Sequence, residues 1–313
     1  MVVARKISFQ EAWESATVFF VDNELEDEID MEVESLLDLA KNQSISEDAP
    51  IEVDTIANFL SKDRRAIEVV LKDIELSEEK FMRIISLLRR LGRIPGKFES
   101  EWGFAKIKQK IMHQKDFALL IATLLVDGKR DTELFPYIPR YYLETLNYRE
   151  IKGSSLEARR IRYKRSLIGT YGGKKGYKVE DKIRQELDRI QNKYRIHYAQ
   201  GRSRMVETDM DFAIPTVEDP WIIIMSSFQE TTSSGQTTKA RDMLSAYERV
   251  QRSNNRYGEN RVFINFVDGG GWLARKRDLE RLVENCHYFI NIYHLDMLED
   301  IILKHIPEKY RNH

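Results

Sequence analysis

Cysteine is nearly absent: the single Cys286 in 313 residues excludes an intrachain disulfide and any zinc site built from several cysteines. It lies in an apolar-periodic stretch, where a buried thiol without a chemical role is expected. Long apolar runs are missing too. None approaches the roughly eighteen residues that a bilayer span needs, and the N-terminus lacks the basic, apolar and small-residue order of a secretory signal. A cytoplasmic location is the expectation. The six histidines contain no pair at the helical spacing of a zinc site, so His197 and His287 read as core or surface residues and zinc is not expected. Gly269-Gly270-Gly271 has neither the Walker lysine nor Rossmann spacing, and reads as a tight turn ahead of a helix at 276–284. Excess charge is also lacking. The formal net charge is −1, whereas phosphate binding usually leaves a basic signature.

The average hides an asymmetry. Residues 1–50 carry three basic and thirteen acidic side chains, while residues 151–204 carry sixteen basic and five acidic ones. The second segment suits a phosphate-rich partner or a solvated charged surface. Tyr171, Tyr177, Tyr194 and Tyr198 interleave with its basic residues, which fits backbone contacts to a nucleic acid and amphipathic packing equally. Apolar periodicity predicts an acidic amphipathic helix over 10–41, a polar break at 42–50, and helices over 54–72 around the turn Ser61-Lys62-Asp63. Ser77-Glu78-Glu79 caps a helix to about Leu91, and a further helix spans 106–125. Paired helices about a short turn allow a helix-turn-helix, a pattern that any small bundle also produces. From residue 205 the chain turns to strands at 205–215, 221–230 and 261–267. The fold class expected is α/β, a mixed-sheet core preceded by a mostly helical domain, divided at 1–150 and 151–313.

Glu207, Asp209 and Asp211 alternate along the first of these strands and so share a face, with Asp211 entering the apolar run Phe212-Ala213-Ile214. A carboxylate there is costly without a cation. Thr216–Pro220 permits a hairpin into Trp221-Ile222-Ile223-Ile224-Met225, whose polar end carries Glu230. Asp211 and Glu230 are therefore expected at one end of a sheet. Phosphodiester hydrolysis needs hard oxygen ligands for Mg²⁺, which lowers the pKa of a bound water and offsets charge on the phosphorane. The loop after Glu230 leads into a helix carrying Lys239 and Arg241; a polar strand edge and a simple connection are the plain alternatives.

The order Lys174-Lys175-Gly176-Tyr177-Lys178-Val179-Glu180, Ile196-His197-Tyr198, Gly201-Arg202 and Asp211-Phe212-Ala213-Ile214 resembles type II restriction endonucleases of the PD-(D/E)XK superfamily over roughly residues 170–300. The segment from Phe263 to Trp272 and Leu295-Asp296-Met297-Leu298 resemble the closing part of such enzymes. The resemblance implies a metal site of Glu180, Asp211 and Glu230. The family's Glu-x-Lys is missing after the second strand: Thr231-Thr232 follow Glu230, and the nearest lysine is Lys239. Strict strand alternation instead puts Met225 or Ser227 where the family's acidic residue lies. Gln229 or Gln236 is a weaker polar substitute for the lysine. The candidate DNA contacts are Lys174, Lys175, Lys178, Arg202, Arg204 and Gln236.

The expected function is Mg²⁺-dependent, sequence-specific hydrolysis of double-stranded DNA, by a homodimer because two strands need two active sites. The competing readings are a non-catalytic DNA-binding protein with a degenerate nuclease core, and a repair nuclease acting on structured DNA.

Overall fold

The computed structural model describes residues 3–41, 51–95, 102–151 and 155–311. The polar break expected at 42–50 lies outside these residues. By contacts the chain groups into two compact units: Met1–Val21 with Tyr171–His313, and Asp22–Thr170. The class is α/β with a mixed sheet, as the sequence predicts.

The helical unit has α2 (Asn23–Lys41), α3 (Val53–Lys62), α4 (Ala66–Asp73), α5 (Glu78–Arg90), α6 (Phe104–His113), α7 (Lys115–Asp127), α8 (Arg140–Leu143) and α9 (Tyr148–Ile151), and α10 (Leu156–Tyr194) begins in it. A short helix, α1 (Phe9–Glu14), precedes these and belongs to the other unit. The expected helix over 10–41 is thus two, and that over 106–125 breaks at Gln114 into α6 and α7. Ser77 caps α5 as its sequence foretells, its side chain accepting from the Lys80 amide at 3.3 Å. Asp73 is the unit's buried carboxylate. Burial raises its pKa, and the hydroxyls of Tyr148 and Tyr163, each at 2.9 Å, satisfy its two oxygens.

The other unit is built on five strands: β1 (Ala199–Ser203), β2 (Thr208–Ile214), β3 (Ile222–Phe228), β4 (Val262–Asp268) and β5 (Tyr288–Ile290), in spatial order β1-β2-β3-β4-β5. β1, β2 and β3 pair antiparallel, and β3, β4 and β5 pair parallel. The parallel step from β3 to β4 requires a crossover, which α11 (Gly235–Tyr257) supplies. α12 (Gly270–Leu273) and α13 (Lys276–Glu284) connect β4 to β5, and α14 (Met297–His305) follows. Every residue of β4 is buried, as a strand covered on both faces requires. Val179, Ile183, Leu187 and Ile190 recur at helical spacing along α10 and enter the same core as Ala240, Met243, Ala246 and Val250 of α11. Cys286 is buried there, and its thiol is pushed up to about 12 by loss of solvent, which removes the thiolate chemistry.

Glu299 of α14 ties that helix to α10. Lys193 Nζ at 2.8 Å, the Tyr194 hydroxyl at 2.5 Å and the Arg189 guanidinium all donate to its carboxylate. These contacts lower its pKa from 4.5 to about 2. A depressed carboxylate contributes stability above its unfolded pKa and loses it as pH falls toward its folded value. Stability against urea is therefore expected to decline between about pH 4.5 and 2, and Glu299→Gln should flatten that decline while lowering stability at pH 7. Equal slopes for the two proteins would contradict the assignment.

Candidate functional site

Asp211 sits at the centre of β2, half-buried, beside the irregularity in the pairing with β1 and one residue before the pairing with β3 begins at Phe212. Its Oδ2 accepts from the Ser226 amide at 2.6 Å, so this side chain meets a backbone donor of β3. Neighbouring residues on a strand point to opposite faces. Arg184 of α10 lies over the Phe212 ring at 5.9 Å, so α10 covers the Phe212 face and Asp211 points to the other. From that other side Lys239, in the second turn of α11, brings Nζ to 3.8 Å from Asp211 Oδ2. The two side chains remain 35% and 29% exposed, which leaves the pair open to a ligand.

The other carboxylates do not join them. Glu230 follows the end of β3 and is reached from α10: Lys175 Nζ lies 2.8 Å from both of its oxygens, and the Phe20 amide donates to Oε1 at 3.3 Å. Glu180 accepts from Gln200 at 2.9 Å and pairs with Arg184 at 3.3 Å. The implied set of Glu180, Asp211 and Glu230 is therefore distributed among separate partners. Among the described residues no group of three or more His, Cys, Asp or Glu side chains converges on a possible ion. Glu207, expected on the face of Asp211, instead occupies the β1–β2 turn with φ 52°.

Of the candidate DNA contacts, Lys175 is held by Glu230, and Lys174 lies over the Tyr171 ring at 4.4 Å. Lys178 is half-buried on the same helix. Gln236 is fully buried; its Oε1 accepts from the Ser233 amide at 3.1 Å and its Nε2 has no partner among the described residues. Its amide is thus turned inward. Arg202 and Arg204 are exposed at the tip of the β1–β2 hairpin. With Ser203, Glu207 and Arg249 they line an open pocket of about 300 Å³. Arg249, from α11, was missed by sequence reading. Its guanidinium donates to the Glu207 carbonyl, and only the pairing of hairpin and helix brings it there.

The glycine run shapes the loop that carries Glu230. Gly269 has φ 111°, and a Cβ there would fall 2.3 Å from the Gln229 carbonyl oxygen; one on Gly271 would fall 2.5 Å from that of Thr231. Only glycine lets residues 229–231 lie against the end of β4, where the Gly271 amide donates to the Gln229 carbonyl at 2.8 Å.

A hard divalent cation of Mg²⁺ size takes oxygen ligands and is commonly held by one or two carboxylates together with substrate phosphate. Asp211 fits as one such ligand. Ser227, which alternation puts on the face of Asp211, has a buried Oγ with no partner among the described residues. With Asp211 as its carboxylate, the site meets the lower limit of such a ligand set.

Residues 162–304, just under half of the chain, match the family model of the DpnII restriction endonuclease. No curated protein and no solved structure matches the chain. The match spans Glu180, the β1–β2 hairpin, Asp211, Glu230, Lys239 and Arg249, and it supports the type II restriction endonuclease indicated by the sequence. No helix among the described residues is long and apolar enough to cross a membrane.

Proposed function

With a segment of the DpnII restriction endonuclease family at residues 162–304, we propose that the protein recognises a short sequence in double-stranded DNA and hydrolyses both strands there in a Mg²⁺-dependent reaction. The observation that carries the reading is the Asp211–Lys239 pair, solvent-open and within the matched segment. Asp211 would hold the cation, which when bound polarises a phosphate and lowers the pKa of a water. Lys239 offers a positive charge to the same phosphate, offsetting the repulsion that Asp211 exerts on it. The Ser226 amide fixes one Asp211 oxygen and leaves the other for a ligand. Glu180 and Glu230 act from outside this pair: Glu230 holds Lys175 in place, and Glu180 orders Gln200 and Arg184. Two strands need two such centres, so a homodimer with two-fold symmetry on a palindromic site is the arrangement proposed. A site inside the cell, where foreign DNA is met, accords with this chemistry.

The competing reading is binding without cleavage, favoured by the absence, among the described residues, of any group of three or more possible metal-ligating side chains. Incubating the protein with plasmids of varied sequence and Mg²⁺ separates the two. Discrete fragments with reproducible ends establish the enzyme; sequence-specific gel shifts with intact plasmid select the binder; neither result removes both readings.

Arg202, Arg204 and Arg249 are the DNA contacts proposed at the hairpin tip, as phosphate partners that position the duplex without reading bases. Neither Arg202 nor Arg204 has an ion-pair partner among the described residues, so both charges are available. Each phosphate contact releases about one counterion, which appears in the dependence of affinity on salt. Arg202→Ala with Arg204→Ala is expected to reduce the slope of log affinity against log salt by about 2, with little change in sequence preference. An unchanged slope would show that the tip does not touch DNA.

A further inference from the structure

The ladder of β2 and β3 ends at Phe212 opposite Ile224, and one further step at the same register sets Asp211 opposite Met225. Directly opposed residues of an antiparallel pair share a face, with Cβ atoms about 5 Å apart. This is the separation from which two carboxylates reach one cation. Met225 is 6% exposed and fills the place with a thioether, a soft group that gives a hard cation nothing. Of the other carboxylates, Asp209 lies two residues along the strand, exposed and opposite Arg202 of β1, while Glu230 is committed to Lys175 and Glu180 to Gln200 and Arg184. Lys239 adds a positive charge 3.8 Å from Asp211, which opposes a second cation there.

We infer that Met225 occupies the second ligand place of the cation site, so that Asp211 is its only protein carboxylate and the DNA-free protein holds no divalent cation there. The inference rests on the reading of Asp211 as the carboxylate that faces the cation. Substrate phosphate then supplies what the hairpin lacks. Met225→Glu would complete the pair, opposing two carboxylates across the ladder and overcoming the charge of Lys239.

Mn²⁺ binding to the DNA-free protein, followed by electron paramagnetic resonance of the free ion, tests this without any cleavage assay. The wild type is expected to match Asp211→Asn, with no binding attributable to Asp211. Met225→Glu is expected to gain one site at least about tenfold tighter, lost again on adding Asp211→Asn. Met225→Gln, similar in size but neutral, should gain nothing. Asp211-dependent Mn²⁺ binding by the wild type as tight as that of Met225→Glu would overturn the inference. So would a folded Met225→Glu that binds no better than Met225→Gln. Should Met225→Glu lose its near-ultraviolet circular dichroism, the wild type against Asp211→Asn decides alone: equal binding supports the inference and a difference overturns it. Gel shifts with DNA fragments assess DNA recognition separately, so failure of the cation inference is distinguishable from failure of the proposed function.

Discussion

Asp211→Asn is expected to lower the rate of double-strand cleavage by about a thousandfold or more, equivalent to roughly 4 kcal/mol of transition-state stabilisation. The change is nearly isosteric. The Asn side-chain oxygen can still accept from the Ser226 amide, which Asp211 binds at 2.6 Å, so the β2–β3 junction should keep its geometry and melting temperature. What disappears is the negative charge, and with it the carboxylate that faces Lys239. Removing that charge also relieves repulsion of phosphate and frees Lys239, 3.8 Å away, to pair with DNA. Affinity should therefore stay level or rise by a few fold while cutting is lost. Single-turnover cleavage and gel shifts on the same preparation read the two effects separately. Parallel loss of binding and cutting would place Asp211 in DNA recognition instead, and unimpaired cutting would move the reaction centre elsewhere.

The part of the site that sequence reading reached is the part written in local pattern. Asp211 stands before three apolar residues on a strand with clear alternation, and the five residues from Trp221 to Met225 announce a buried neighbour. The helix at Lys276–Glu284 was legible for the same reason, whereas Gly270 and Gly271, read as part of a tight turn, open the short helix α12. Lys239 was placed on the helix after β3, where α11 carries it to Asp211. Convergence of the acidic residues was harder to read. Glu230 lies beyond the last paired residue of β3, where alternation no longer says which way a side chain turns, and Lys175 claims it across 55 residues of sequence. Met225 was visible as a contender for the acidic position, but only the β2–β3 register, ending one step away at Phe212 and Ile224, relates it to Asp211. β1 and β5 escaped notice because Ala199–Ser203 is polar and Tyr288–Ile290 has only three residues, too short for a period.

The association of the first residues with the sheet was likewise invisible, since no periodicity in 1–21 reveals a partner some 250 residues away, and Asp268 is the residue that creates it. At the end of β4 its side chain is 1% exposed and accepts four hydrogen bonds: from the Thr17 amide at 2.7 Å, the Thr17 hydroxyl at 2.8 Å, the Gly269 amide at 2.7 Å and the Ile292 amide at 3.0 Å. Asp268→Ala would leave three backbone donors and a hydroxyl without their acceptor. Each lost partner costs about 1–3 kcal/mol where water cannot replace it, and rearrangement of the N-terminal segment recovers part of this. A net loss of about 3–5 kcal/mol is expected, read as a fall in the urea midpoint with little change in slope. Asp268→Asn should be nearly as damaging, because its amide nitrogen would face donors. Thr17→Val should cost only about 1 kcal/mol, since it removes the hydroxyl donor and keeps the amide. The consequence extends to the site. Phe20 donates its amide to Glu230, and Gly270 has no room for a side chain beside the Val18 carbonyl, so the segment that Asp268 anchors also buttresses the loop after β3. Proteolysis of Asp268→Ala should therefore begin within residues 16–21 before the sheet unfolds. A variant with the wild-type midpoint and an intact N-terminus would show that these four bonds do not hold the segment in place.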